Sequence, residues 1–508
     1  MTKHNTIVIT SEAQQSFSSS SLFILLTIFF AISFQVIFAN TKDQCYVCHS
    51  TIGDKQSEHF ANDVHFKKGI SCAGCHGGDA TADDMEKAMN KSKGYIGVPK
   101  GDDISETCAK CHSNVDMIKQ YNSSVARNQL ESLNESVHGK LATNGKEHIA
   151  QCITCHGVHG IVKVSDPKSP VYPSNIVATC TKCHNDAAYM RSYNPSLSVD
   201  QLEKYRTSVH GMKNAKGDVK VAECASCHGS HDIQSSIDIR SKVYAANIPS
   251  TCGKCHSNAE YMKEYNIPTD QQEKFTRSVH GFALLQKKDL SAPACNDCHG
   301  NHGATPPGIS SISKVCGTCH ALNADLFSQS PHKKAYDEKN LPECETCHSN
   351  HEIVHATDKL LGVSSEAVCS KCHSETQNQK GYAVAKTMRA LIDSLVKESK
   401  TDSQLVEDAE QKGMEISESK FKLRDAHQAR LETRTMVHSF NEEKFREVVN
   451  KGFSVTAFVK AEASAILEEY YFRRWGLGVS TLIITIVAVS LYLFIRRIER
   501  KQLEEKKA

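Results

Sequence analysis

Outside one repeated motif, this chain contains no cysteine at all. Its 22 cysteines are consumed by eleven copies of Cys-x-x-Cys-His. No thiol is left over for a disulfide or a catalytic nucleophile. Tryptophan occurs once, at Trp475, and aromatic residues make up 7% of the chain. With a hydrophobic fraction of 39% over 508 residues, apolar material is modest for a chain of this length. There is no large surplus of either charge, the formal balance being +2. No basic run with interleaved aromatics marks a nucleic-acid surface.

What is present is the motif, and its spacing has a chemical reason. The first copies are Cys45, Cys48 and His49; Cys72, Cys75 and His76; Cys108, Cys111 and His112; and Cys152, Cys155 and His156. Next come Cys180, Cys183 and His184; Cys224, Cys227 and His228; and Cys252, Cys255 and His256. The last four are Cys295, Cys298 and His299; Cys316, Cys319 and His320; Cys344, Cys347 and His348; and Cys369, Cys372 and His373. Two thiols at this spacing add to the two vinyl groups of one haem, and the next His lies under the iron as proximal ligand. A single copy could be a zinc knuckle, but eleven with no stray cysteine point to eleven covalently bound haem c groups. The porphyrins then supply much of the buried apolar surface, and the apoprotein is expected to be largely unfolded. Roughly 22 haem propionates, ionised like ordinary carboxylates, would make the holoprotein acidic. That too argues against a nucleic-acid partner.

Hydrophobic runs stand at both ends. Ser21–Phe38 is apolar and Ala39 is a plausible cleavage residue, so residues 1–39 read as a signal peptide, with an uncleaved N-terminal anchor as the alternative. Gly476–Ile495 carries no charge and is long enough to span a membrane. The basic tail at 496–508, with Arg496, Arg497, Arg500, Lys501, Lys506 and Lys507, is expected on the cytoplasmic side. The haem region, residues 40–375, would then face the periplasm from a bacterial inner membrane.

Between these ends the sequence repeats. The marker is Ser-Val-His-Gly at His138, His210 and His280, with looser copies at His65 and His332. Successive markers are 73, 72, 70 and 52 residues apart. Two motifs come after each marker, so the organisation is one leading haem and five two-haem repeats. Ser198 with Gln201, and Thr269 with Gln272, have capping-box spacing, and Gly211 and Gly281 are placed as helix stops. Each marker His is therefore expected to end a helix. The connectors read as irregular loops.

Spare histidines decide between an open iron, which binds substrate, and a closed one, which passes electrons. Twelve lie in the haem region outside the motifs. Five are the markers His65, His138, His210, His280 and His332. Four stand three residues past a motif, namely His159, His231, His302 and His351, and should reach the iron of a neighbouring haem. The remaining three are His59, His148 and His355. His76 breaks the pattern, since Gly77, Gly78 and Asp79 come next. Unless His59 or another neighbour fills the gap, an open iron is expected there.

These residues resemble multihaem cytochromes c of the cytochrome c3-like, doubled-motif type, and more distantly the octahaem hydroxylamine oxidoreductase and pentahaem nitrite reductase group. The resemblance implies bis-histidine haems in close-packed pairs, working as periplasmic electron carriers in anaerobic respiration. All eleven motifs here end in His, which departs from the Cys-x-x-Cys-Lys site of the nitrite reductases. No tyrosine is marked for the cross-link that a hydroxylamine oxidoreductase needs.

Residues 376–472 are rich in Glu, Lys, Arg, Ala and Leu. Val384, Met388, Leu391 and Leu395 form one helical stripe, and Leu423, His427, Leu431 and His438 another. They predict a small antiparallel bundle, similar to the C-terminal helices of the nitrite reductase group, with a third helix from Glu442 running on into the membrane segment. His427 and His438 are expected in its core or an interface, the sharper alternative being that His438 completes the haem set.

The fold expected is mainly α with extensive irregular loops: a haem-organised cytochrome domain, then the bundle, then one transmembrane helix. The expected function is electron transfer between a membrane quinol-oxidising or cytochrome b-type subunit and soluble periplasmic cytochromes or reductases. The alternative is an oxidoreductase acting on hydroxylamine, nitrite or tetrathionate at one open haem.

Overall fold

The computed structural model describes residues 43–507, apart from 122–123, 143–144, 146 and 309–310. The N-terminal apolar run lies outside the described residues. Among those described, the chain before Gln379 is short helices joined by turns, with one isolated bridge between Leu141 and His148 in place of any β-strand. Two compact units divide it. One comprises the chain up to Cys252 with Gly300–Thr305, the other Gly253–His299 with Pro306–Ala508.

In both units the same device ties repeats together. At four of the five markers, the residue before the His donates its backbone N–H to a loop carbonyl two residues past a Gly-x-His or Ser-x-His. The pairs are Val64 to Ile161 (2.7 Å), Val137 to Ile233 (2.8 Å), Val209 to Ala304 (3.1 Å) and Val279 to Ile353 (2.9 Å). Each bond joins residues more than 70 positions apart in sequence. It satisfies backbone groups that no sheet or long helix would otherwise pair.

The marker has a different local structure from the one its sequence suggests. The preceding helix, Gln201–Thr207 or Gln271–Arg277, stops one residue before the marker Ser, and His210 and His280 sit in the first turn of a new helix. Buried Ser208 donates its Oγ–H to the Tyr205 carbonyl (2.6 Å) and accepts from the Gly211 N–H (2.9 Å). Ser278 does the same between Phe275 and Gly281. Gly139, Gly211 and Gly281 are therefore not helix stops. A Cβ on any of them would stand 1.9 Å from the carbonyl oxygen of Leu133, Tyr205 or Phe275. Only glycine allows the two helices to meet so closely. The expected capping box at Ser198 is also absent: Ser198 Oγ donates to Asp200 (2.5 Å), and Asp200 is the N-cap residue.

Protein-only packing is thin until the C-terminal region. There, helices Gln379–Gln411, Ser417–Met436 and Glu442–Glu505 form an antiparallel bundle. One core cluster joins Leu361, Met388, Ile392, Leu395, Phe445 and Val449, and Cys369 of the last motif packs against it. A second joins Val406, Ala409, Ile416, Val459 and Ala463. The middle helix buries small residues, Ser419, Ala426, Ala429 and Thr433, while His427 is exposed and Leu431 largely so. The expected stripe through His427 is thus rotated away from the core. The reason is close packing: a Cβ at Gly452 would meet the Leu395 side chain at 3.0 Å and Ala429 at 3.4 Å, leaving no room for large side chains. Arg430 and Arg434 pin the bundle to the haem region through Asp358, at 2.7 and 3.0 Å.

The third bundle helix continues without a break through the apolar stretch to Glu505. Its apolar window has mean hydropathy 2.3 and no buried residue. A single membrane-spanning helix accounts for such a surface; a soluble core does not.

Candidate haem sites

Counted from the N-terminus, odd and even motifs fold differently. Three of the six odd motifs end longer helices, Asp103–His112, Pro173–His184 and Ile248–His256. Even motifs are little more than one turn: Ala73–His76, Cys152–His156, Cys224–His228, Cys295–His299 and Glu343–His348. The residue just past each even motif has positive φ: Gly77 (69°), Gly157 (76°), Gly229 (88°), Gly300 (83°) or Ser349 (66°). This turn breaks the helix at once and directs the His three residues past the motif away from its own haem.

Nine pairs of histidine rings have their centroids at one spacing. An imidazole nitrogen sits about 2 Å from a metal, and its ring centroid roughly 1 Å further, so two rings on opposite faces of one iron lie about 6 Å apart. The even motifs give His76–His159 (6.0 Å), His156–His231 (6.1 Å), His228–His302 (6.0 Å), His299–His351 (5.8 Å) and His348–His438 (6.0 Å). The odd motifs give His112–His65 (6.0 Å), His184–His138 (6.0 Å), His320–His280 (6.2 Å) and His373–His332 (5.9 Å). Bare packing of imidazoles has no reason to hold one spacing nine times. A haem iron between each pair does, and the residues fit the group.

Ring orientation differs between the classes except at His280–His320, which is at 30°. Interplanar angles are 7–17° for the four pairs that use a His three residues past a motif. They are 87°, 65° and 73° at three of the marker pairs.

Second-sphere contacts fix the tautomers. His76 Nδ1–H donates to the Gly97 carbonyl (2.7 Å) and His438 Nδ1–H to that of Thr435 (2.9 Å), leaving Nε2 as the lone-pair nitrogen. His65 Nδ1 pairs with Asp63 Oδ1 at 2.8 Å, and His49 Nδ1 with Asp54 Oδ2 at 2.8 Å. Burial, and then the facing histidine, hold His228 and His332 down at about 4. Burial likewise lowers His112, His138, His156, His159, His184, His231, His280, His302, His348, His351 and His438. Neutral imidazole is the form that ligates a metal.

The cysteines bring successive motifs together at alternate ends. In the first unit Cys45 neighbours Cys72, while Cys108 shares a hydrogen bond with Cys152, and Cys180 with Cys224, each contact joining the first cysteines of two motifs. Second cysteines neighbour one another at Cys75 and Cys111, and at Cys155 and Cys183. In the second unit Cys316 bonds Cys344, Cys298 lies near Cys316 and Cys319, and Cys347 lies near Cys369 and Cys372.

Three further second cysteines have these surroundings. Cys227 is half-buried near Tyr205, the residue whose carbonyl accepts from the marker Ser208. Cys255 is half-buried, and its carbonyl accepts from the Asn258 N–H at 2.9 Å. Cys319 is exposed, with Thr318 Oγ1 3.9 Å from its sulfur. All 22 thiols are free of disulfides, as attachment to haem requires.

Three expected distal ligands, His59, His148 and His355, stand outside the nine pairs. His59 is exposed at the end of helix Lys55–Phe60, and His355 is exposed in a loop. His148 turns its Nδ1 to Asp102 Oδ1 at 2.9 Å and pairs with no other ring among the described residues. His210 and His256 lie within helices Val209–Asn214 and Ile248–His256. Two open expectations narrow. At His76, where His59 or another neighbour was to fill the gap or leave an open iron, the facing ring is His159, a His three residues past a motif of the next repeat. Of the two expectations for His438, the core or interface and completion of the haem set, its position facing His348 fits the second. Its signal was the Val-His-Ser of Val437–Ser439, an echo of the marker, placed where a sixth repeat would begin.

Known proteins agree with this picture in outline. Residues 33–77 and 315–399 match the family described as cytochrome c554 and c-prime. The C-type polyheme cytochrome OmcC of Geobacter sulfurreducens is 22% identical over 304 residues, covering 51% of this chain. The match spans 37% of that protein's length. No solved structure matches. Motif, ring geometry and relatives together support a multihaem c-type cytochrome.

Proposed function

We propose that this chain is a membrane-anchored electron carrier holding eleven haems c, most of them closed by two histidines. The observation that carries the reading is the constant 5.8–6.2 Å spacing of the nine ring pairs. An iron with an imidazole on each face has no free position for substrate, and it changes oxidation state with little rearrangement. Contacts between cysteines of successive motifs support short haem-to-haem steps within each unit. The exposed apolar helix supports an anchor, with the basic tail inside and the haems in the periplasm. Electrons would enter from a membrane quinol-oxidising or cytochrome b-type subunit, and leave to soluble periplasmic cytochromes or reductases. The competing enzyme reading loses its original motive, since His159 faces His76. Low-temperature EPR of the oxidised holoprotein tests the proposal. Low-spin ferric haem should dominate, and a mostly high-spin spectrum would sink it.

A further inference from the structure

The register of the ligands singles out the first motif. Every later odd motif has a marker His 40–47 residues before its proximal His: His65 before His112, His138 before His184, His210 before His256, His280 before His320 and His332 before His373. The same interval before His49 covers residues 2–9, whose one histidine is His4. The apolar run Ser21–Phe38 lies between His4 and Cys45. On the reading of that run as a signal peptide or an anchor, His4 would be removed or held apart from the haem region.

The structure adds two observations of its own. Among the described residues, His49 faces no second imidazole, and its side chain is 46% exposed. Its Nδ1 is paired with the Asp54 carboxylate at 2.8 Å, whereas the proximal His76 has a neutral carbonyl at that position. A carboxylate on Nδ1 raises the basicity of the ligating nitrogen. Asp54 is fixed for this task, as it also caps the next helix by accepting from the Gln56 N–H at 2.9 Å. His59, the nearest spare histidine in sequence, is exposed at the far end of that helix, where its backbone lies against Gly160.

We infer that the iron held by His49 has one protein ligand and an exchangeable sixth position, open to small haem ligands such as carbon monoxide, cyanide or nitrite. The chain then joins one reactive iron to a set of conducting ones, at the end of the haem region far from the anchor in sequence. This inference rests on the haem-carrying function proposed above.

Full-length holoprotein tests it. A pyridine haemochrome assay should count eleven haems per chain; a much lower count would overturn the underlying reading as well. EPR should show one high-spin ferric haem per chain, and the reduced protein should bind one carbon monoxide. Replacing both Cys45 and Cys48 by Ala should remove one haem and abolish both signals. Asp54→Asn should keep every haem and lower the iron–histidine stretching frequency in resonance Raman. A full haem count with no carbon monoxide binding overturns this inference alone. A high-spin signal that survives loss of Cys45 and Cys48 overturns it too.

Discussion

Asp63 shows how much a single side chain does in this molecule. It stands where later repeats have the marker Ser, and it is buried at 2% exposure. One oxygen accepts from the His65 N–H and pairs with the His65 ring; the other accepts from the Gly160 and Ile161 N–H groups, each contact 2.8 Å. Burial pushes its carboxyl up, but these bonds outweigh burial and hold it at about 2. Asp63→Ala leaves several buried donors without an acceptor, and should cost about 3 kcal/mol. The midpoint of chemical unfolding, followed by the haem absorption, would read this loss. Because the folded value lies below the unfolded one, the carboxylate's contribution is complete above about pH 4 and is lost as pH falls through 2. The difference between wild type and variant should therefore shrink over that window.

Local elements explain which parts of the site could be read from sequence. The motif histidines were legible because covalent chemistry fixes their spacing. So were the histidines three residues past a motif, because the residue after an even motif adopts φ near 70–90° and turns the chain outward. Their assignment was not legible, since they reach across a repeat and only three-dimensional packing shows which iron they meet. The marker was misread as a helix end because Gly211 and Gly281 have the look of a stop. Their real constraint, a carbonyl 1.9 Å from where Cβ would be, involves the preceding helix and leaves no local signature. The turn after even motifs carries its own prediction. Ser349 takes φ 66° and ψ −175°, a conformation that side chains resist, where its four counterparts are glycine. Ser349→Gly should stabilise the protein by about 1 kcal/mol. A thermal midpoint that falls instead would show that the hydroxyl has a role the backbone does not reveal.

At the scale of the larger assembly, the bundle reaches the last haem motifs of its own unit through His438. Its ring faces His348 at 6.0 Å, and Phe440, two residues on, lies 3.8 Å from the His332 ring. His438→Ala should convert the haem of Cys344 and Cys347 from low to high spin and let it bind carbon monoxide. The bundle should persist, because its cores at Leu395 and Val459 do not depend on that ring. Circular dichroism with a carbon monoxide titration would check both halves, and unchanged spin state would remove His438 from the ligand set.

Ligand exchange between repeats also sets an order of completion. Under the proposed ligation, a marker serves a motif that comes later in the chain, whereas the His three residues past a motif closes an iron attached one repeat earlier. The repeats therefore overlap like roof tiles, each leaving its lower edge to be covered by the next. A chain emerging N-terminus first would always carry one unfinished haem at its growing end, and lengthening the array would only move that loose edge along. What ends the series is a helix turn at His438 that belongs to no repeat. The bundle is the ridge tile, and a shortened or extended relative would need its own version of that histidine wherever its last repeat stops.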